Sequence, residues 1–304
     1  MNVIISILGS VNQFYRVRSS VALEINKAQQ DGRLRAAQLK MVTMLKEVDA
    51  ICQEFNLDYW LEGGTLLGAI RHQGFIPWDD DLDISMPRHS YEKFLQVAPS
   101  RLPEHLFLQT AQSEPGYFNL AAPLKIRDRN SRFVEVHETG NEPYQQGIFL
   151  DVFVYDTLDA NEKQAKRDKF RAKKLLRLLR TKCTPIAMGH HARIYDIIGR
   201  FCSQQKLEQA LVDIIQRSKK LDSPWMGYGY DCVNQNRVHR DDIYPLRRVA
   251  FENEAFYIAN RSEVILQQLF GDYMQLPPEN ERVMKHCKEL IPHINTPEKT
   301  RISA

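Results

Sequence analysis

Four aspartates lie close together after Trp78, at Asp79, Asp80, Asp81 and Asp83. The segment Asp81–Met86 alternates polar and apolar residues, which is the pattern of a half-buried strand. Residues two apart on a strand point to the same face, so Asp81 and Asp83 are expected to aim at one point. Carboxylates that close repel each other unless a cation lies between them, and the hard ions Mg²⁺ or Mn²⁺ prefer oxygen ligands. The pattern therefore predicts a metal site, and its alternative is a solvated acidic turn.

A strand, a pair of glycines and a helix precede these aspartates. Residues 58–62 are typical of a short aromatic strand, Gly63-Gly64 interrupts it, and Thr65 begins a helical run. This order presents backbone amides and a helix N-terminus to a phosphate. A Gly-Gly pair alone is weak, but an Asp-x-Asp strand within about twenty residues makes the arrangement typical of nucleotidyltransferases.

A further carboxylate stands in the middle of the apolar segment Gly147–Asp156. Such a continuous run is typical of a buried central strand. A lone aspartate there is costly unless it is paired or binds metal. We therefore predict that Asp151 lies beside Asp81 and Asp83 on a neighbouring strand; the alternative is an aspartate that only bonds a loop at a strand end.

Composition limits the remaining classes of function. The chain has 304 residues, 43% of them hydrophobic and 26% charged, as in an ordinary soluble protein, and its net charge of +3 is too small to indicate nucleic-acid binding. The five cysteines are scattered and never form Cys-x-x-Cys, which argues against a structural zinc site and a disulfide framework and favours a reducing cytoplasm. The pairs His190-His191 and His286-Cys287 could supply metal ligands, but surface or core positions are favoured.

The other elements predict an α/β (α+β) fold, a mixed sheet flanked by helices. Apolar spacing of three and four residues predicts a helix over 34–55, and a second helix follows at 90–95. The remaining predicted elements are strands at 105–110, 124–127 and 133–136, a hairpin at 249–258 and a helix at 262–270. Helices at 162–182, 194–201 and 207–221 predict a helical insertion at about 160–222.

Three regions follow from these elements. We expect an N-terminal segment over 1–34, a catalytic domain over 35–280 and a polar, frayed tail over 281–304. The apolar stretch at 3–8 is far shorter than a membrane span and lacks the features of a signal peptide.

The stretch LEGGTLLGAIRHQGFIPWDDDLDI at 61–84 resembles the signature of the LicD-type phosphotransferases, whose relatives include fukutin and the fukutin-related protein. The resemblance extends over roughly residues 35–280, apart from a divergent helical middle. Its further motifs are LKIRDRN at 124–130, GIFLDVFVYD at 147–156, DIYPLRRVAFEN at 242–253 and LFGDYMQLPP at 269–278.

This resemblance implies a nucleotidyltransferase-like fold and a definite chemistry. Family members transfer a phospho-alcohol from a CDP-activated donor to a sugar hydroxyl and release CMP; bacterial members are best known for moving phosphocholine from CDP-choline to surface glycans such as lipopolysaccharide, capsule or teichoic acid. By the resemblance, Asp81, Asp83 and Asp151 hold Mg²⁺ or Mn²⁺, and Asp79 is the preceding acidic position of the motif. Asp151 or Asp79 could accept the proton of the attacking hydroxyl, with Asp151 favoured.

Several other residues are candidates to bind the donor. The candidates are Gly63, Gly64, Thr65, Arg71, His72, Lys125, Arg127, Arg248 and Trp225. Basic side chains would hold the pyrophosphate, although a plain surface salt bridge is the alternative for each. Trp225 begins the aromatic segment WMGYGY, which could surround a quaternary ammonium group or simply pack in the core.

The sequence leaves other interpretations open. The donor could instead carry ribitol, glycerol or ethanolamine phosphate, and a nucleotidyltransferase that releases pyrophosphate or a non-catalytic relative would show a similar pattern. The basic helix at 162–182 is either a solvated helix with an inward leucine face or a surface for anionic lipids. With acceptors assembled on lipid carriers, the expected location is the cytoplasm, peripheral at the inner face of the membrane.

Overall fold

The computed structural model describes residues 32–183 and 190–293. The apolar stretch at 3–8 and almost all of the N-terminal segment lie outside the described residues. The helices are α1 (Arg33–Glu54), α2 (Gly63–His72), α3 (Arg88–Val97), α4 (Glu162–Cys183), α5 (His190–Phe201), α6 (Gln204–Ser218), α7 (Arg240–Ile243) and α8 (Ser262–Phe270). The strands are β1 (Trp60–Leu61), β2 (Asp83–Pro87), β3 (Leu106–Gln109), β4 (Leu124–Asp128), β5 (Arg132–Glu135), β6 (Phe149–Thr157), β7 (Trp225–Tyr228), β8 (Val238–His239), β9 (Arg247–Phe251), β10 (Glu254–Ile258) and β11 (Cys287–Ile291).

One mixed sheet organises the chain, in the order β1-β2-β6-β4-β3. Strand β6 is its centre: β2 runs parallel to it, whereas β4 and β7 pair antiparallel with its two halves. The apolar run of β6 is buried along its length, as expected for a central strand. The predicted α+β fold, a mixed sheet flanked by helices, is confirmed.

Helix α1 covers the sheet with the apolar stripe that its sequence predicts. Met41, Leu45 and Val48, spaced three and four residues apart, are buried in the same hydrophobic core as β2 and β6. Helices α4, α5 and α6 lie in the chain between β6 and β7, and the buried leucines of α4 and α6 belong to a second, smaller core. Within residues 32–183 and 190–293, no helix is both long and apolar enough to cross a membrane.

The structure corrects three local predictions. Strand β2 begins at Asp83, so Asp81 precedes the strand instead of lying on it, although the Leu82 carbonyl still accepts a hydrogen bond from the Asp151 amide. Helix α2 begins at Gly63 and not at Thr65. The segment after residue 281 is not wholly frayed, because β11 pairs antiparallel with β5 and buries Cys287 and Leu290.

Candidate active site

One row of side chains crosses the centre of the sheet. In the register of the strands, Asp83 of β2 is directly opposite Asp151 of β6, and Lys125 of β4 is opposite Asp151 on the other side. Residues that are opposite each other on neighbouring strands point to the same face. The sheet thus brings two of the predicted carboxylates and one predicted cation together.

Lys125 neutralises one side of this row. Its Nζ lies 2.9 Å from Oδ1 and 3.0 Å from Oδ2 of Asp151, and 3.4 Å from the carboxylate of Glu135. The ammonium is buried and also lies 3.4 Å from the centroid of the Phe149 ring. Lys125 therefore lies beside the carboxylates, and its predicted role in binding the donor stays a prediction.

Arg127 has a different role from the one predicted for it. Its guanidinium is fully buried and donates to Gln109 at 2.7 Å, to the Gly147 carbonyl at 2.8 Å and to Glu135 at 3.2 Å. Through these hydrogen bonds Arg127 holds Glu135 in place behind Lys125. Because the guanidinium is buried, it is not accessible to an incoming pyrophosphate.

The glycine pair lets the start of α2 approach the carboxylates. A Cβ at position 64 would lie 3.0 Å from Oδ2 of Asp79, and a Cβ at position 63 would lie 3.4 Å from Oδ2 of Asp83. Gly63 also has a φ of 54°, which favours glycine. Thr65 fixes this junction, since its hydroxyl accepts a hydrogen bond of 2.9 Å from the Asp83 amide. The predicted strand, glycine and helix arrangement therefore lies against the acidic residues.

The carboxylates are crowded enough to oppose their own ionisation. Burial, followed by the charges of Asp81 and Asp151, raises the pKa of Asp83 well above its ordinary value. Burial also raises the pKa of Asp79, with repulsion from Asp81 adding to it, and raises the pKa of Asp81 to about 6. The pKa of Asp151 is raised by burial, although Lys125 offsets part of the effect.

One oxygen in this group, Oδ2 of Asp79, is buried and has no hydrogen-bond partner. Oδ1 of Asp151 is also buried, and the Lys125 ammonium lies 2.9 Å from it. Oxygen ligands with excess negative charge and a free acceptor suit a divalent hard cation. The residues present therefore fit Mg²⁺ or Mn²⁺.

Asp80 and His286 are site residues whose role the sequence did not reveal. Asp80 is buried and accepts hydrogen bonds from the amides of His286 at 3.0 Å and Cys287 at 2.7 Å. The His286 Nδ1 lies 3.0 Å from Oδ1 of Asp80 and 3.1 Å from Oδ2 of Asp81. Burial opposes protonation of His286, but its hydrogen bond with Asp80 and the charge of Asp81 raise its pKa to about 9.

The pair His286-Cys287 consists of one exposed and one core residue, the positions favoured from the sequence. Cys287 is buried in the core, and the exposed His286 has its imidazole at the edge of the acidic cluster. The ligand atoms of Asp80, Asp81 and His286 lie within 4.8 Å of one another. The other pair, His190-His191, has side chains outside the described part of the chain.

A cavity of about 490 Å³ opens beside the cluster, between α2 and the segment that follows α8. Gly64 and Asp79 form the end of the cavity nearest the carboxylates, and Arg71, Trp78 and Tyr273 line its walls. Arg71 donates a hydrogen bond of 2.7 Å to the Tyr273 carbonyl. Of the two predicted basic residues of α2, Arg71 lines this cavity, whereas the His72 ring meets Trp78 of the cavity wall edge to face, with 6.3 Å between centroids.

Two predicted site residues lie elsewhere. Trp225 precedes Met226, which pairs with Thr157, so it is about 20 Å along the sheet from Asp151. Its ring contacts Arg237 and His239 instead. Arg248 of β9 donates two hydrogen bonds, of 3.1 and 2.9 Å, to Asp49 of α1 and ties the hairpin to that helix.

Comparison with known proteins places these features in one family. Residues 56–176 match the family described as LicD/FKTN/FKRP, nucleotidyltransferase domain. The lipopolysaccharide cholinephosphotransferase LicD of Haemophilus influenzae is 30% identical over 271 residues, which cover 84% of this chain and 97% of that protein. An uncharacterized protein of Rickettsia typhi is 44% identical over 61 residues, 20% of each chain. Human ribitol 5-phosphate transferase FKRP is 49% identical over 39 residues, which are 13% of this chain and 8% of that protein.

Proposed function

The chain belongs to the LicD/FKTN/FKRP nucleotidyltransferase-domain family, and we propose that it transfers a phospho-alcohol from a CDP-activated donor to a glycan hydroxyl and releases CMP. The observation that carries the proposal is the group of carboxylates around the glycine start of α2, in which Asp79, Asp81 and Asp83 are half-buried and Asp151 is buried. Transfer of a phosphoryl group needs positioning and neutralised charge more than covalent catalysis. A carboxylate cluster whose excess negative charge calls for a bound cation is suited to that task.

Asp81, Asp83 and Asp151 would hold Mg²⁺ or Mn²⁺. When bound, the ion would neutralise the phosphate oxygens at which negative charge develops. Lys125, at 2.9 Å from Asp151, favours the ionised form of that carboxylate and orients it. The amides at the start of α2 face the same region and favour an anionic group there.

The proton of the attacking hydroxyl requires an acceptor. Asp151 was favoured from the sequence, but its carboxylate is already held by Lys125. Asp79 lines the cavity and its Oδ2 has no hydrogen-bond partner. We therefore assign the general base to Asp79, with Asp151 as a ligand of the ion.

The cavity beside Asp79 favours phosphocholine as the cargo. A quaternary ammonium group binds on aromatic faces close to negative charge. Trp78 and Tyr273 provide the aromatic faces, and Asp79, Asp272 and Glu281 provide the carboxylates. Arg282 already lies 5.7 Å from the Trp78 ring centroid, which indicates that this ring attracts cations. A polyol such as ribitol would need polar contacts in place of the aromatic walls.

The relatives also suggest an acceptor and a location. LicD of Haemophilus influenzae is named for lipopolysaccharide, a lipid-linked glycan. We infer a glycan acceptor on a lipid carrier and a cytoplasmic protein that is peripheral at the inner face of the membrane.

The test is a panel of CDP-choline, CDP-ethanolamine, CDP-glycerol and CDP-ribitol with Mg²⁺, in which CMP release is followed with and without lipopolysaccharide or teichoic acid. We expect acceptor-dependent CMP release, fastest with CDP-choline, and none after addition of EDTA. Faster turnover of a polyol donor would overturn the choline assignment only. Release of pyrophosphate from CTP would identify a nucleotidyltransferase, and donor binding without turnover of any donor would identify a non-catalytic relative.

A further inference from the structure

The exposed face of α4 forms a narrow stripe along the helix. Its members recur every three or four residues and are Lys163, Lys166, Arg167, Phe170, Arg171 and Lys174. The opposite face, which includes Ala165, Ala172 and Leu176, is buried against the smaller core. The interpretation as a solvated helix with an inward leucine face thus accounts for the buried side of α4. It does not account for the five cations and one phenylalanine that face solvent on the other side.

The charge of the protein is concentrated in this helix. Helix α4 contains ten lysines and arginines and two acidic residues, a net formal charge of +8. The whole chain carries +3, so the rest of it carries −5. Within the described residues, Lys166 pairs with Glu162 at 2.5 Å, whereas Lys163, Arg167 and Arg171 have no acidic group within 4.0 Å. The stripe is therefore a positive patch on an otherwise acidic protein.

An apolar patch lies next to the stripe, on α5. Tyr195 of α5 lies under the Arg177 guanidinium, 5.8 Å from ring centroid to Cζ, and Gly199 lies directly against Thr181. Arg177 and Thr181 continue the face of α4 that begins with Phe170, since positions 170, 174, 177 and 181 are spaced four, three and four apart. Helix α5 therefore packs on the outer side of α4.

The other side of α5 is apolar and exposed. Ile197 is 60% exposed, Ile198 is 47% exposed and Phe201 is 88% exposed, and Phe170 of α4 is 58% exposed. The contact positions on α5 are 195 and 199, so positions 197 and 201 point away from α4 by helical periodicity. Large apolar side chains that face water on adjacent helices mark an interaction surface.

We propose that α4 and α5 form a docking surface for an anionic lipid bilayer. The cations of the stripe bind lipid phosphates, and Phe170, Ile197 and Phe201 enter the boundary between headgroups and acyl chains. The cations and the apolar side chains together favour a bilayer over a soluble polyanion. A soluble polyanion would bind the cations but would offer no apolar phase for Phe201. The surface lies outside the carboxylate cluster, so docking would hold the enzyme near a lipid-linked acceptor without taking part in the reaction.

The experiment is cosedimentation of the full chain with vesicles of phosphatidylcholine alone or with added phosphatidylglycerol. We expect binding only to the anionic vesicles, weakened but not abolished by high salt because the apolar contacts are not screened. Arg171→Gln and Lys174→Gln should each weaken partitioning about fivefold, and Phe201→Ser about tenfold. The matched control is Leu39→Ser, at a residue of α1 that is 45% exposed, which should bind as the parent does.

Two further readouts complete the test. Circular dichroism and CMP release from a soluble donor should be unchanged in the Phe201 and Arg171 variants, which separates docking from folding and from catalysis. Equal binding to neutral vesicles, equal loss in Phe201→Ser and Leu39→Ser, or binding to heparin with none to vesicles would each overturn the proposal. The last result would identify a soluble polyanion, and capture of a single protein partner without vesicle binding would identify a protein interface.

Discussion

The charge of Asp81 should destabilise the metal-free protein, and its removal should therefore separate folding from catalysis. Burial raises the pKa of Asp81 to about 6, and His286 offsets only part of the effect. From an ordinary value of 3.8, this difference corresponds to about 3 kcal/mol once the carboxyl is ionised in both the folded and the unfolded state. Below about pH 4 the group is protonated in both states, so the cost is absent; it develops as the pH rises through 6.

We expect Asp81→Asn to raise the free energy of unfolding by about 1–3 kcal/mol at pH 8 in EDTA, where the lower value allows for the lost contact with His286. At pH 4 the change should be small. CMP release with Mg²⁺ should fall by at least about a hundredfold, because a ligand of the ion is lost. Mg²⁺ at a hundred times its Kd should stabilise the parent by about 2.7 kcal/mol and the variant by less.

The assay is urea unfolding followed by tryptophan fluorescence at pH 4 and pH 8, with EDTA or Mg²⁺, beside CMP release. Asp49→Asn is the matched control, because Asp49 is paired with Arg248 at 2.9 Å and its neutralisation should lower stability at pH 8. If Asp81→Asn is less stable than the parent at pH 8 in EDTA, the account of a destabilising buried charge is wrong. If it retains near-normal turnover, Asp81 has no role in binding the ion.

Three further substitutions test separate parts of the site, and Trp225→Ala serves as a control for the first. Trp78→Ala should raise the KM for CDP-choline about 2- to 30-fold and leave the KM for CDP-ribitol nearly unchanged, whereas Trp225→Ala should alter neither. If Trp78→Ala weakens the binding of CMP as much as that of CDP-choline, the Trp78 ring contacts the cytosine and not the choline. Gly64→Ala should lower kcat about tenfold without loss of stability, because the new Cβ meets Asp79 at 3.0 Å, and an unchanged kcat would show that Asp79 can shift freely. Lys125→Met should cost about 3–5 kcal/mol of stability in urea unfolding at pH 8, since it leaves the buried carboxylate of Asp151 without its cation, and a loss below 1 kcal/mol would contradict that role.

The sequence predicted the parts of the site that depend on short-range patterns. The alternation after Asp81 and the apolar run around Asp151 each indicate a strand. The observed register, with Asp83 opposite Asp151, confirms that these two aspartates meet. The register itself could not be predicted, because the sequence pattern does not fix which residues on the two strands face each other.

The residues whose positions could not be predicted depend on contacts between elements that are far apart in the sequence. Trp78 and Trp225 both lie in aromatic or acidic segments, but only the fold places one at the cavity and the other about 20 Å from Asp151. Arg127 and Arg248 are basic residues within recognisable motifs, and their burial or pairing depends on Gln109, Glu135 and Asp49 from other elements.

The position of Asp80 explains why the C-terminal segment belongs to the site. Asp79 lines the cavity, whereas Asp80 is bonded to the C-terminal segment and shares the His286 imidazole with Asp81. Asp80 uses that position to hold the amides of His286 and Cys287, which fixes β11 against β5 and places the His286 imidazole 3.1 Å from Asp81. The matched family domain ends at residue 176, before the segment that supplies Tyr273 and His286. Because this later segment forms the cavity wall and is tied to the carboxylates through Asp80, we expect its sequence to affect which proposed donor is bound without changing the carboxylate cluster.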